Sequence, residues 1–547
     1  MRAARLLARR QRAYAFVARR PGACPKEETR PMTSVSPAAP GLQLHEVRVY
    51  PSADTPPREQ LLAWKLAEAA LDDTPLDDDV SAMIVNRVID NTGVAVAALL
   101  RRPVANARAQ ALAHRHEGGA TVYGLPPSVR VHCEWAAWAN GAAVRELDFH
   151  DTFLAADMNH PGDMIASVLA VGQQCGASGA DLLRGIAAAY EISGGLTKGI
   201  ALHTHRVDHL THIAAGMVAG IGAMLRLPAP TLFQALNHAV HVTVTTRQSR
   251  KGDISSWKAV APAHAGKLAV EAVDRALRGE TSPTPIYEGD DSLIAWMLDG
   301  PQARYQVPLP RAGTPKRAIM ETYTKAYSAE IQSQAWIDLA FRLRSRIGDT
   351  DAIDSVVITT SHHTHRIIGS GSNDPQKYNP EASRETLDHS LMYIFAVALQ
   401  DGRWHHIDSY RAERARRPDT LRLWRKVSTR EDAYWDRLYH DPDPARRAFG
   451  GRVRITLRGG QILEDEIEVA DAHPRGARPF GRQDYLAKFR ELAGAHALPA
   501  EQDRFLEAAL GLAALPAGAL AALNMQIPPA LLADDGLPRG IFERRGG

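Results

Sequence analysis

"THIAAGMVAGIGAMLRL", residues 211–227, decides the fold. Its uncharged centre, Ile213 to Met224, is the longest apolar stretch of the chain, and seven of those twelve residues are Ala or Gly. A bilayer needs about 20 apolar residues, so the stretch is too short to cross one. It reads instead as a short helix whose small side chains let neighbouring helices approach closely. Segments of the same kind surround it: "CEWAAWANGAAVREL", "MIASVLAVGQQC", "GADLLRGIAAAYEISGGL" and "APTLFQALNHAVHV". Upstream, "REQLLAWKLAEAAL" has apolar residues at three- and four-residue spacing, and "SAMIVNRVIDNTGVAVAALLRR" follows with Ser81 as its N-cap. Residues 33–57, rich in Pro and Ser, read as loose chain, and no strand is expected before about residue 300.

The texture then changes. "AIDSVVITTSHHTHRII" carries a β-branched run, and "GRVRITLRGGQILEDEIEVA" reads as two alternating strands joined at Gly459-Gly460. Helical periodicity resumes at "RQDYLAKFRELAG" and is expected to run to the end. The expectation is a mostly α protein: a large all-α domain with a smaller α+β lid inserted. Its parts are an extension over 1–44, a helical domain over 45–314, the lid over 315–475, and a return to the helical domain over 476–547. The cleft between the two domains is where a small molecule would bind.

The chain has 547 residues, 45% hydrophobic and 23% charged, the make-up of an ordinary globular protein. Its charge is uneven. Residues 1–31 carry nine Lys or Arg against two Glu, a net of +7, whereas the whole chain is +3, so residues 32–547 carry −4. A nucleic-acid partner is therefore not expected of the body. The opening "MRAARLLARRQRAYAFVARR" reads either as an Arg-rich transit peptide or as an upstream start ahead of Met32. Three scattered cysteines, Cys24, Cys133 and Cys175, argue against a disulfide framework or a cysteine-ligated iron–sulfur cluster and suit a reducing cytoplasm.

Five stretches concentrate proton-active side chains. In "ELDFHDTFLAADMNHPGD", residues 146–163, Asp148 and Thr152 share a face if the backbone is helical, and His160-Pro161-Gly162 reads as a turn that would bring an imidazole to them. In "HTHRVDHLTHIAAG", His205, His209 and His212 have helical spacing. A metal must be considered there, but the Glu of H-E-x-x-H is missing, and a helix N-terminus with one functional His fits better. Lys258 in "WKAVAPAHAGK" sits at the edge of an Ala helix, bound for water or for a cleft. Lys325, Tyr327 and Glu330 precede another helix, and His389 and Tyr393 are four apart in an apolar run. Solvated helix ends would account for much of this on spacing alone. The sequence has no G-x-G-x-x-G after a strand, no P-loop and no G-x-S-x-G elbow, so proton transfer beside carboxylates suits these groups better than hydride or phosphoryl transfer.

Together, "LDFHDTFLAADMNHPGD", "VDHLTHIA", "GDISSWKAVAPAHAGKLAVEAV", "SPTPIYEG", "KAYSAEIQSQ" and "NDPQKYNPEASRETLDHSLMYIFAVALQDG" occur in the order that resembles the MmgE/PrpD family, over about residues 60–490. The resemblance implies a usually dimeric helical protein with a small α+β lid. It also implies a cytoplasmic, cofactor-independent hydro-lyase that removes water from 2-methylcitrate in propionate catabolism, with side activity on citrate. A family branch that decarboxylates cis-aconitate is similar in several motifs. Its site Asp, Thr and His resemble Asp148, Thr152 and His160, with two extra residues here before the His, and its other site residues resemble His209, Lys258 and Lys325. Glu330 stands where that branch has a His, which favours dehydration, while the family's lid Tyr matches Tyr378 or Tyr393.

Dehydrating a 2-hydroxy tricarboxylate requires a base at the carbon beside a carboxylate, an acid at the leaving oxygen, and cations for about three negative charges. The expected catalytic residues are Asp148, His160, His209 and Lys258, with Thr152, Lys325, Glu330, Arg250 and His389 binding substrate and Arg247 adding to the field; no metal, cofactor or membrane is expected. The alternatives are a decarboxylase or isomerase of a related tricarboxylate, a metal-dependent lyase, and a helical binding protein whose site has decayed. Against the last, an intact polar set is costly in a packed core.

Overall fold

The computed structural model describes residues 41–532, except 442 and 444, together with 540–543. The readings made for residues 1–40 lie outside the described residues. Helices of ten or more residues are numbered in chain order. The first nine are α1 (Leu62–Leu71), α2 (Asp78–Ala98), α3 (Arg102–Leu112), α4 (Cys133–Glu146), α5 (Ile165–Gln174), α6 (Gly179–Gly199), α7 (Leu210–Leu225), α8 (Ala229–Thr243) and α9 (Trp257–Leu277). They share one apolar core running from Val47 to Ile527. α7, the opening stretch of sequence, is its axis: every residue but the last is buried. Its small residues have the expected purpose. A Cβ on Gly185 of α6 would stand 2.8 Å from the Gly220 carbonyl oxygen of α7, and one on Gly220 2.7 Å from that of Gly185. Two backbones meet there at a distance only glycine allows. No single helix among the described residues is long and apolar enough to cross a membrane.

A second apolar core draws on residues from Ala329 to Ile467. It packs α10 (Gln334–Arg344) and α11 (Leu391–Asp401) on a four-stranded sheet of order β10-β9-β7-β8. β7 (Ile353–Thr360) pairs parallel with β8 (Val427–Glu431) and antiparallel with β9 (Gly451–Leu457), and β9 pairs antiparallel with β10 (Ile462–Ile467). Gly460, at φ +81°, turns the hairpin between β9 and β10 at the predicted place. α12 (Arg482–Gly494) and α13 (Pro499–Leu510) then return to the first core through Phe489, Leu492 and Phe505.

Four expectations need correction. Strands do occur before residue 300. β1 (Leu42–Arg48) pairs along its whole length with β6 (Arg304–Pro310), so residues 42–44 belong to a sheet rather than to a loose extension. Short pairs β2 (Arg115–Thr121) with β3 (Arg130–Val131), and β4 (Phe153–Leu154) with β5 (Met158–Asn159), are also present. Their partners are distant in sequence or only two residues long, so no alternating pattern announces them. α2 starts at Asp78 with Asp77, not Ser81, as N-cap, and Asp78 and Asp79 sit in its positive first turn. Past Leu510 the described residues form short 3₁₀ turns instead of more long helix.

Candidate active site

The stretch 146–163 is not a helical face. α4 stops at Glu146, and Asp148 adopts a left-handed backbone, φ +48°, which Asp tolerates better than most residues. Thr152 forms an isolated bridge with Tyr323, β4 and β5 make a small hairpin, and Pro161–Met164 is a 3₁₀ turn leading into α5. This fold-back aims the side chains of 148, 152 and 160 at a common centre.

That centre is a buried ionic cluster. The Lys325 ammonium, fully enclosed, donates to the Asp148 carbonyl at 2.9 Å and to its Oδ1 at 2.6 Å. Lys258 Nζ lies 3.0 Å from Asp148 Oδ2 and 2.8 and 2.9 Å from the two oxygens of Asp388. Arg145 stands 3.2 Å from Asp148 Oδ1, and Arg384 donates to Asp388 Oδ2 at 3.3 Å. Burial alone would raise the Asp148 carboxyl, but Arg145, Lys258 and Lys325 hold it well below the usual carboxylate range. Burial pushes the Lys325 ammonium down, with Asp148 opposing. Lys258 therefore points neither to water nor along the surface: it cross-links two acids.

Two imidazoles face each other beside the cluster, the His160 and His209 rings lying edge to face with centroids 5.4 Å apart. His160 Nδ1 is 3.0 Å from Thr152 Oγ1. His209 occupies the N-cap position of α7, at the helix N-terminus expected of it, with Nδ1 2.7 Å from Asp208 Oδ1. Arg250 Nε and Ser249 Oγ each donate to Asp208 Oδ2 at 3.1 Å. Burial lowers both imidazoles, His160 well below the ordinary range; Arg145 and Lys325 add to the effect at His160, while Asp208 opposes it at His209. His209 Nε2 is buried without a hydrogen-bond partner.

The remaining predicted residues join them. Glu330 caps the turn Ile331–Ser333, and burial pushes its carboxyl up to about 7 against the pull of Lys325. His389 Nδ1 contacts Asp388 and lies 3.3 Å from Lys258 Nζ; burial, then Lys258, push it down to about 4. Burial and Arg250 push the Arg247 guanidinium down to about 9. All nine predicted residues thus meet in one neighbourhood.

The histidine row does not exist as a face. His205 lies in a 3₁₀ turn ended by left-handed Arg206 and pairs with Asp299 at 3.4 Å, while His212 Nε2 meets the Ile200 carbonyl at 2.9 Å. Among the described residues the donor set closest to a metal site is Asp148, Asp388 and His389, whose ligand atoms lie within 4.8 Å of one another. The cation held among them is the Lys258 ammonium. Neither candidate lid tyrosine faces the cluster: the Tyr393 hydroxyl donates to the Ser409 carbonyl at 2.6 Å inside the second core, and that of Tyr378 to the Val427 carbonyl at 3.2 Å. Tyr410 stands closer, with the Arg384 guanidinium 4.5 Å above its ring.

Arg145, Asp208, Arg384 and Asp388 were not anticipated. Two of them had a signal: Asp208-His209 and Asp388-His389 are the same dipeptide, and in each the acid holds its neighbour's Nδ1. Arg145 and Arg384 had none, since an Arg near a helix end is usually solvated.

Fold and site define a helical scaffold that seals an acid–base and cation cluster. The MmgE/PrpD N-terminal domain model matches residues 60–306 and the MmgE/PrpD C-terminal domain model residues 327–513; the chain belongs to the MmgE/PrpD family. It is 29% identical over 377 residues to the mitochondrial 2-methylcitrate dehydratase of Yarrowia lipolytica, covering 65% of this chain and 69% of that protein. It is 28% identical over 401 residues to the 2-methylcitrate dehydratase of Cupriavidus necator, covering 70% and 79%. It is 23% identical over 408 residues to the cis-aconitate decarboxylase of Mus musculus, covering 68% and 73%.

Proposed function

We propose that the protein is a hydro-lyase that eliminates water from 2-methylcitrate to give 2-methylaconitate, with side activity on citrate. The observation that carries this reading is the pair of buried imidazoles, 5.4 Å apart, flanked by Arg145, Lys325 and Arg250. The cations suit a ligand with about three carboxylates, and the imidazoles suit proton transfer. Asp208 fixes the His209 proton on Nδ1 and leaves Nε2 to accept the proton from the carbon beside a carboxylate. Substrate carboxylates offset the burial that depresses His160, which then protonates the leaving hydroxyl; the C–O bond breaks, water departs and the alkene remains. Thr152 orients His160, Asp148 aligns Lys325 and Lys258, and His389 and Glu330 bind substrate oxygens. The α+β part, residues 315–475, acts as a lid over the helical part, and the enzyme works as a cytoplasmic homodimer, as the family resemblance and the free Cys133 and Cys175 suggest.

The test offers 2-methylcitrate and citrate separately and follows ultraviolet absorbance of the new conjugated alkene. A rise that is faster with 2-methylcitrate is expected. If neither substrate gives a rise and cis-aconitate yields carbon dioxide, the decarboxylase reading replaces this one.

A further inference from the structure

Beside the cluster lies a buried lysine that has no part in the proposed chemistry. Lys488, on α12, is buried, and its ammonium has three donors. Two go to the Phe149 carbonyl at 2.7 Å and the Lys325 carbonyl at 2.9 Å, and the charge pairs with Asp90 Oδ1, on α2, at 2.8 Å. The nitrogen also sits 3.9 Å over the Phe149 ring. Phe149 follows the left-handed Asp148, and Lys325 is the residue whose ammonium grips that carboxylate. One ammonium therefore ties the backbones of the two segments whose side chains meet at Asp148, and its ion pair anchors both to a core helix.

We propose that Lys488 is a positioning residue that holds Asp148 and Lys325 in register without touching substrate. Two segments from distant parts of the chain, with 177 positions between Asp148 and Lys325, meet here; the isolated Thr152–Tyr323 bridge pairs them at one point, and Lys488 adds a further tie at the Phe149 and Lys325 carbonyls, next to the Asp148 contact itself. Displacing a reacting group by about 1 Å costs on the order of 10²-fold in rate, so a clamp on their carbonyls governs turnover. The catalytic readout rests on the dehydratase reading above.

A cavity of about 300 Å³, lined by Lys488, Phe149, Tyr327, Trp404, His406 and Phe480, adjoins this lysine and makes the clamp testable by replacement. Lys488→Ala would extend the cavity, and n-propylammonium would refill the space with a new ammonium. With unchanged circular dichroism, the variant is expected to lose on the order of 10- to 100-fold in kcat, with a smaller change in KM. Saturable recovery with n-propylammonium, and none with n-propanol, completes the expected result. A folded variant with parental kcat, or a loss that the amine leaves untouched, overturns the proposal. If Lys488→Ala does not fold, Lys488→Met and Lys488→Arg take its place. Loss in the first and recovery in the second support the clamp; parental kcat in the first, or no recovery in the second, overturns it. Should the unmodified protein turn over no tricarboxylate, the dehydratase reading alone fails. The clamp is then read from citrate affinity by calorimetry: weakened binding in Lys488→Ala, restored by n-propylammonium, supports it, and parental affinity overturns it.

Discussion

Asp208-His209 and Asp388-His389 are one dipeptide in two settings. In both, the acid holds Nδ1 of the next residue. At the first, the spare carboxylate oxygen takes Arg250 and Ser249, and His209 Nε2 is left buried without a partner, its ring edge to face with that of His160. At the second, the carboxylate is shared by Lys258 and Arg384, and the Lys258 ammonium presses on the imidazole itself. In the proposed chemistry the second histidine is a binding group, whereas the first keeps a free nitrogen for a proton. The surroundings, not the dipeptide, assign the role.

The sharpest way to break this contrast is to truncate each imidazole. His209→Ala is expected to lower kcat for dehydration by about 10² to 10⁴, the range of a general base. His389→Ala, which removes a hydrogen-bonding group, should lose only about tenfold, near 1.4 kcal/mol. Equal losses in steady-state assays would erase the distinction.

Charge balance gives the next largest effect. Lys258→Met leaves Asp148 and Asp388 facing each other without their shared cation, and should destabilise the fold by about 3–5 kcal/mol in urea titration. Adding Asp388→Asn should recover part of that loss. A double variant no more stable than Lys258→Met would show that the two acids do not share the lysine.

Glu330 supplies a pH signature. Its folded-state carboxyl is raised to about 7, so the stability it contributes is present in full below its unfolded value and is lost as pH rises through 7. Buried Glu288, also pushed up to about 7, acts in the same direction. Relative to Glu330→Gln, the parent's melting temperature should therefore fall between pH 5 and 8, because the depressed histidines titrate alike in both proteins. An unchanged slope would place Glu330 in a wetter setting than the one described.

The smallest effect concerns the Asp208 support. Ser249→Ala removes one donor and leaves Arg250, so kcat should drop by roughly fivefold, about 1 kcal/mol. A loss as large as that of His209→Ala would mean that the serine, not the arginine, orients the pair.

Much of this was legible in the chain. The Ala and Gly spacing of residues 211–227 foretold a close helix contact, and the Gly185–Gly220 crossing is that contact. The hairpin at Gly459-Gly460 and helix α12 fell where periodicity put them. All nine predicted site residues converge, yet the reason for Asp148 was misjudged: an assumed helical face became a left-handed turn, because spacing says nothing of where α4 ends. β1 and β6 pair across more than 250 residues, and no local pattern encodes such a partner. Arg145 and Arg384 were missed because their role exists only once the acids they balance have been brought together.

The backbone of Asp148 has a practical consequence for saturation mutagenesis. At φ +48° a substituent is judged twice, once on the charge it offers Lys258 and Lys325 and once on whether its Cβ accepts a left-handed residue. Asn satisfies the second criterion and fails the first, Glu the reverse, and Val neither. A library at this position will therefore sort into folded but inactive, strained but charged, and absent proteins. Only the Asn variant isolates the carboxylate, and an alanine scan would report the two criteria as one number.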